Sequence, residues 1–126
     1  MKKINIPEGY QTVMPYLILS DALKFMEFAQ KIFGATIKMK KLNDDQTLMH
    51  GEIQVGGSTI MIGGSSEQWS PQPAGLYVHV MDADDTYKKA LMAGAVSVME
   101  PADRDYGRSG GVKDPFGNTW WITTVS

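Results

Sequence analysis

Cysteine is absent from all 126 residues, which excludes disulfides, thiolate metal centres and a cysteine nucleophile together. An excess of one charge sign is also missing. Twelve Lys and Arg against 14 Asp and Glu leave a formal charge of −2, and neither half is basic enough to track a phosphate backbone. Nucleic acid is therefore not an expected partner. No apolar run approaches the ~20 residues a membrane-crossing helix needs, so no membrane partner is expected either. The opening Met1-Lys2-Lys3 has the charge of a signal-peptide tip, yet Pro7, Glu8 and Gly9 intervene before an apolar stretch develops. Histidine is scarce, with two copies at His50 and His79. What is present is an even mixture with 43% hydrophobic residues, and a chain of this size buries about two-thirds of its unfolded surface on folding. The expectation is one cytoplasmic domain with a core of its own.

Along the chain, Thr12 to Leu19 is apolar and β-branched enough for a strand, with Pro15 restricting its start to an edge or seam. Ser20-Asp21 offers a helix cap, with Asp21 suited to the positive helix start. Ala22, Met26, Ala29 and Phe33 then lay an apolar stripe that Gly34 ends. Ala35 to Leu42 reads as a half-exposed strand with Ile37 and Met39 on one face. Gln46 to Val55 alternates, setting Met49, Gly51, Ile53 and Val55 opposite Leu48, His50, Glu52 and Gln54. Gly56-Gly57 turns this strand tightly into Ser58 to Ile62. After a small, polar stretch the order restarts: a strand at Leu76 to Val80, a cap at Asp82, a stripe through Tyr87, Ala90 and Leu91, and a stop at Gly94. Short strands at Ala95 to Met99, Gly107 to Lys113 and Thr119 to Val125 follow, the last two joined by the Asp114 to Asn118 turn.

The second half repeats the first. Leu17 and Asp21 recur as Val78 and Asp82, 61 residues on, and Gly34-Ala35 recurs as Gly94-Ala95, 60 residues on. Two copies of a unit of this length argue against a solenoid and for a pseudo-symmetric pair. The expected class is α+β: two βαβββ modules forming a curved eight-stranded mixed sheet around a shared concavity. Module one covers 12–63, a linker 64–73 and module two 74–126 within a single domain.

Three stretches make the chain similar to a known family: Pro15-Tyr16-Leu17 with Asp21-Ala22 and Phe33-Gly34-Ala35; Met49-His50-Gly51-Glu52-Ile53; and Tyr106 to Trp121, which contains Asp114-Pro115-Phe116-Gly117. The chain resembles the vicinal oxygen chelate superfamily, which includes glyoxalase I, bleomycin-resistance proteins and extradiol dioxygenases, and within it a small glyoxalase-like branch. The resemblance implies the paired modules, a small-molecule ligand in the concave sheet and a homodimer. It also implies metal-ligand stations seven residues before each helix-capping Asp and on each module's last strand. Here those stations hold Met14, Gly75 and Trp121, while Met61-Ile62-Gly63 carries no carboxylate. Thioether, glycine and indole are not ligands for zinc, nickel, magnesium or iron(II), so no metal ligands and no cofactor are expected. A divalent ion on His50, Glu52 and His79 is the one arrangement that would restore a metal.

By alternation Leu17, Leu19, Val78 and Val80 lie beneath the helices, leaving Met14, Tyr16, Ile18, Gly75, Tyr77 and His79 on the opposite face. Tyr16, Tyr77 and Trp121 supply an aromatic wall and Trp69 an aromatic from the linker, while His50, Glu52 and His79 supply directional polar groups. With Met14 these form the expected ligand-binding set. Trp120 has core parity. Arg108 and Lys113 bracket a glycine-rich strand, as solvated charges or as partners for an anion. The functional expectation is metal-independent binding of a small, partly planar molecule. The alternative is an isomerase or lyase with His79 or Glu52 as general base. No phosphate loop, calcium loop or serine-nucleophile motif accompanies these residues.

Overall fold

The computed structural model describes residues 3–126, so Met1 and Lys2 of the charged tip lie outside the described residues. The two apolar stripes become helices and the alternating stretches strands. In chain order these are β1 (Tyr16–Leu19), α1 (Ala22–Phe33), β2 (Thr36–Leu42), β3 (Leu48–Val55), β4 (Ser58–Gly64), β5 (Gly75–His79), α2 (Ala83–Met92), β6 (Val96–Arg104), β7 (Gly107–Lys113) and β8 (Thr119–Thr124). This is the α+β arrangement of two βαβββ modules. The strands fall into two four-stranded mixed sheets, β1-β4-β3-β2 and β5-β8-β7-β6, with β1 parallel to β4 and β5 parallel to β8. The chain divides into two compact units, one ending at Pro71 and one starting at Gln72.

In the first unit α1 packs on β2, β3 and β4, burying Phe25, Met26, Ala29 and Ile32 on the side where Ile53 and Ile62 are also buried. Each large apolar side chain so enclosed contributes about 1.5–3 kcal/mol. The approach is close enough to require glycine at 51, where a Cβ would stand 2.8 Å from Met26 Sδ. Asp21 takes the N-cap position, but differently from the expected cap. Its φ of +54° is left-handed and its side chain makes no capping bond. Gly34 closes the helix at φ +67°, where a Cβ would be strained.

Several boundaries and faces differ from the sequence reading. The first strand begins at Tyr16, not Thr12. Pro15 has no N–H to give, though its carbonyl still accepts from Met61 N (2.9 Å). In β2 the register slips between Ile37 and Met39, so Ile37 pairs with buried Ile53 while Met39 pairs with Glu52. The two do not share a face. In β3 a second slip leaves Met49 without a partner, between Leu48 opposite Leu42 and His50 opposite Lys41. This bulge reverses the expected parity at the strand's start. Leu48 is buried on the helix side, its Cδ2 3.3 Å from where a Gly51 Cβ would lie, and Met49 is exposed. Strand β4 runs on to Gly64, inside the stretch read as linker.

In the second unit Asp82 caps α2 as expected, its Oδ1 accepting from Asp85 N at 3.1 Å. Ala93 takes the C-cap and Gly94 follows at φ +103°. The core joins Val78, Ala83, Tyr87 and Ala90 to Val112, Trp120 and Ile122. The Asp114 to Asn118 turn is more than punctuation. Buried Asp114 accepts from Phe116 N, Asn118 N, Asn118 Nδ2 and Trp120 Nε1, all within 2.8–2.9 Å. Strand β6 extends beyond the expected Met99 to Arg104, and it slips register between Ser97 and Met99, 60 residues after the first slip in β2.

Candidate functional site

In the first unit, β1 and β3 aim their outward residues to one side. Tyr16 leaves β1 opposite the helix and is half exposed, while His50 and Glu52 occupy the same face of β3. Glycine at 63 lets the Tyr16 ring lie across β4, since a Cβ there would stand 3.2 Å from the phenol oxygen and 3.3 Å from Cε1. The ring centroids of Tyr16 and His50 are 5.7 Å apart, and the Tyr16 hydroxyl is 3.4 Å from His50 Nδ1. His50 Nε2 lies 3.0 Å from Glu52 Oε2, and Tyr10 donates its hydroxyl to Glu52 Oε1.

Glu52 is 4% exposed, so both carboxylate oxygens need partners, and both have one. Burial alone would push its carboxyl up. The hydrogen bonds from Tyr10 and His50, with the His50 charge, outweigh that and hold it below the usual glutamate value. The Tyr10 phenol moves the other way, raised first by its bond to the carboxylate, then by burial and the adjacent negative charge.

The segment carrying Tyr10 is fastened along the sheet. Gln11 Nε2 donates to the Thr59 carbonyl (2.8 Å), Thr59 N donates back to Gln11 Oε1 (3.4 Å), and Thr59 Oγ1 donates to the Gly9 carbonyl (2.6 Å).

Beside Tyr16 opens a cleft of about 650 Å³, lined among others by Tyr16, Met49, Trp69, Asn43 and Gln68. The Met49 bulge is what brings that thioether to this side. Trp69 is held by a local turn in which its N donates to Ser66 Oγ (3.2 Å) and its carbonyl accepts from Ser66 N (2.9 Å). None of the residues lining the cleft carries a formal charge. Met14 is half-buried in the segment just ahead of β1.

The second unit assembles its own aromatic group. Tyr77 pairs with Trp121 across β5 and β8, and the Tyr77 and His79 rings are 5.3 Å apart. The indole of Trp121 lies over Gly75, where a Cβ would be 3.0 Å from Cζ3. Trp120, of opposite parity, is 1% exposed. Arg108 is not available to an anion. Its Nε and Nη2 donate to the two oxygens of Asp84 (2.7 and 3.1 Å) and its Nη1 to Asp103 (3.2 Å), which hold the guanidinium more firmly protonated. Lys113 stays exposed.

His50 and Glu52 direct lone pair and proton at each other, and among the described residues no three His, Asp or Glu side chains stand together as a ligand group. Sequence reasoning did not reach Tyr10, Gln11, Met49, Asn43 or Gln68. Met49 gives no compositional sign of a bulge. Tyr10 and Gln11 precede the first strand, where alternation does not apply.

The sequence profile of the Glyoxalase/Bleomycin resistance protein/Dioxygenase superfamily matches residues 11–122. An uncharacterised protein of Mycobacterium bovis is 31% identical over 118 residues, spanning 84% of this chain and 78% of the relative. Among solved structures, TioX from Micromonospora sp. ML1 is similar with a TM-score of 0.72 and 21% identity, covering 92% of this chain and 97% of TioX. TnmS3, an antibiotic binding protein from Streptomyces sp. CB03234, gives a TM-score of 0.70 at 16% identity, covering 93% of this chain and all (100%) of TnmS3. Both solved structures share the fold.

Proposed function

The chain belongs to the glyoxalase/bleomycin resistance protein/dioxygenase superfamily, and from that premise we propose that it binds a small, partly planar molecule without a metal, in the Tyr16–Met49–Trp69 cleft. The observation that carries this reading is the cleft's lining. Two aromatic faces and a thioether stand among amides and hydroxyls, without a formal charge, around a volume in the range of small-molecule sites. Tyr16 is seated on Gly63 and tied through His50 to Glu52, so it meets a ligand already in place. TnmS3, of the same fold, is an antibiotic binding protein. Drug sequestration needs affinity without chemistry, which suits such a lining.

Glu52 serves this site as an anchor and not as a general base. Both of its oxygens are engaged and its carboxyl is held low, whereas a base working near neutral pH needs a free lone pair and a raised value. In the enzymatic alternative, an isomerase or lyase, the base is then His79, whose side is exposed beside Tyr77. The same reading includes a homodimer, for which light scattering should return about twice the chain mass of 13.9 kDa.

The test is a calorimetric titration of planar aromatic ligands, with and without chelator. Saturable binding that survives chelation and is weakened at least tenfold by Trp69→Ala or Tyr16→Ala supports the proposal. Binding that disappears with chelator, or turnover abolished by His79→Ala with binding intact, favours the enzyme.

A further inference from the structure

The hydrogen-bond chain behind Tyr16 has a direction, and that direction selects ligands. It starts at Glu52, which as a carboxylate can only accept. Tyr10 fills Oε1, and Oε2 faces His50 Nε2 at 3.0 Å, so that nitrogen must carry a proton. In a neutral imidazole the other nitrogen, Nδ1, is then a bare lone pair. The group it faces, at 3.4 Å, is the Tyr16 hydroxyl, which has one proton and spends it there. What remains to Tyr16 at the cleft is oxygen lone pairs.

We propose that Tyr16 acts as a specificity-determining acceptor, so that the cleft selects an uncharged planar aromatic bearing an O–H or N–H donor at its edge over the same ring bearing only an acceptor. The inference deepens the binding reading above and rests on it. Three features fix the geometry. Gly63 lets the ring approach β4 closely, the phenol oxygen standing 3.2 Å from where a Cβ would lie. Glu52 is buried and cannot turn to water for other partners. Tyr10 belongs to a segment pinned at Gly9 and Gln11 and blocks the second carboxylate oxygen. The absence of charge from the lining adds the rest of the specification, because an ion leaving water for this cleft would find no opposite charge among the lining residues.

The experiment compares 2-naphthol with 2-methoxynaphthalene, which share a ring and differ in having a donor. It is run by calorimetric titration at pH 8. The expected result is a preference of about tenfold for the naphthol, the size of one hydrogen bond. Tyr16→Phe should reduce that preference to within about twofold. Because Tyr16 is half exposed, the variant keeps the core intact. Glu52→Gln should also erase the preference, since an amide can donate to Nε2 and let His50 take the opposite tautomer. Equal affinities for the two compounds in the unaltered protein would overturn the acceptor assignment and leave the cleft as a binding site. A preference that persists in Tyr16→Phe would place the selecting group elsewhere. If neither compound binds, the binding reading fails and this inference falls with it.

Discussion

Replacing Glu52 by Gln changes almost no volume and removes one charge, which makes it the sharpest probe of the buried network. Two hydrogen bonds to a carboxylate, each worth about 1.5–3 kcal/mol, would become neutral ones worth about 1 kcal/mol. The variant recovers part of the cost of burying a charge, so the net loss at pH 7 should be about 1–3 kcal/mol. In urea this shifts the midpoint down by roughly 0.5–2 M at unchanged slope. The pH dependence is the stronger test. Glu52 has its folded value below its ordinary one, so its contribution is fully present above the ordinary glutamate range and is lost as pH falls through the folded value. The difference between the two proteins should therefore be largest near neutrality and shrink toward zero at low pH, where a protonated Glu52 resembles the amide. Paired urea titrations from pH 7 to pH 3 measure it. A stability difference constant across that range would refute the claim that the buried carboxylate is held ionised by Tyr10 and His50.

Gly64→Ala should destabilise by about 2–4 kcal/mol in the same assay, because its Cβ would stand 2.3 Å from the Leu48 carbonyl oxygen and only backbone movement can relieve that. Asp114→Asn should cost about 2–4 kcal/mol, since the new amide group turns a donor toward donors that now bond a carboxylate; loss of near-ultraviolet signal from Trp120 should accompany it. The two helix-capping aspartates should respond with opposite signs. Asp21→Gly relieves a left-handed residue that makes no cap bond and gains about 0.5–1 kcal/mol, whereas Asp82→Ala loses a working cap and about 1 kcal/mol. Thermal melts of the two single variants settle that pair.

Much of the architecture was readable because it depends on short-range spacing. The stripes from Ala22 to Phe33 and from Ala83 to Met92, the stop at Gly34 and the Gly56-Gly57 turn all follow from local geometry. Parity also placed Tyr16, His50 and Glu52 on one face, because the part of β3 between His50 and Val55 is regular against β4. It failed where one residue was inserted. Once Met49 bulges, alternation assigns Leu48 and Met49 to each other's sides, and nothing in side-chain composition announces the insertion. The slip after Ile37 misleads in the same way. Tyr10 was out of reach for a different reason. Its place is fixed by a carboxylate 42 residues away, and only the assembled sheet supplies that partner. The Arg108 pairing with Asp84 is likewise a product of packing, the two charges being 24 positions apart in sequence.

The matched slips in β2 and β6 bear on how this protein keeps its borders closed. Each of those strands ends its sheet, so each offers main-chain groups to any passing β-structure. An out-of-step residue at Lys38 in one and at Val98 in the other breaks the regular spacing a visitor would need to zip along the whole strand. The lysine-rich border adds repulsion at Lys38, Lys40 and Lys41, and the valine-bearing one adds a second slip between Met99 and Ala102, with Pro101 and the charges of Glu100 and Asp103 beside it. Ironing out either kink alone would accordingly leave a second obstacle to fibre-like stacking in place, lysine charge on one border and proline with a further slip on the other.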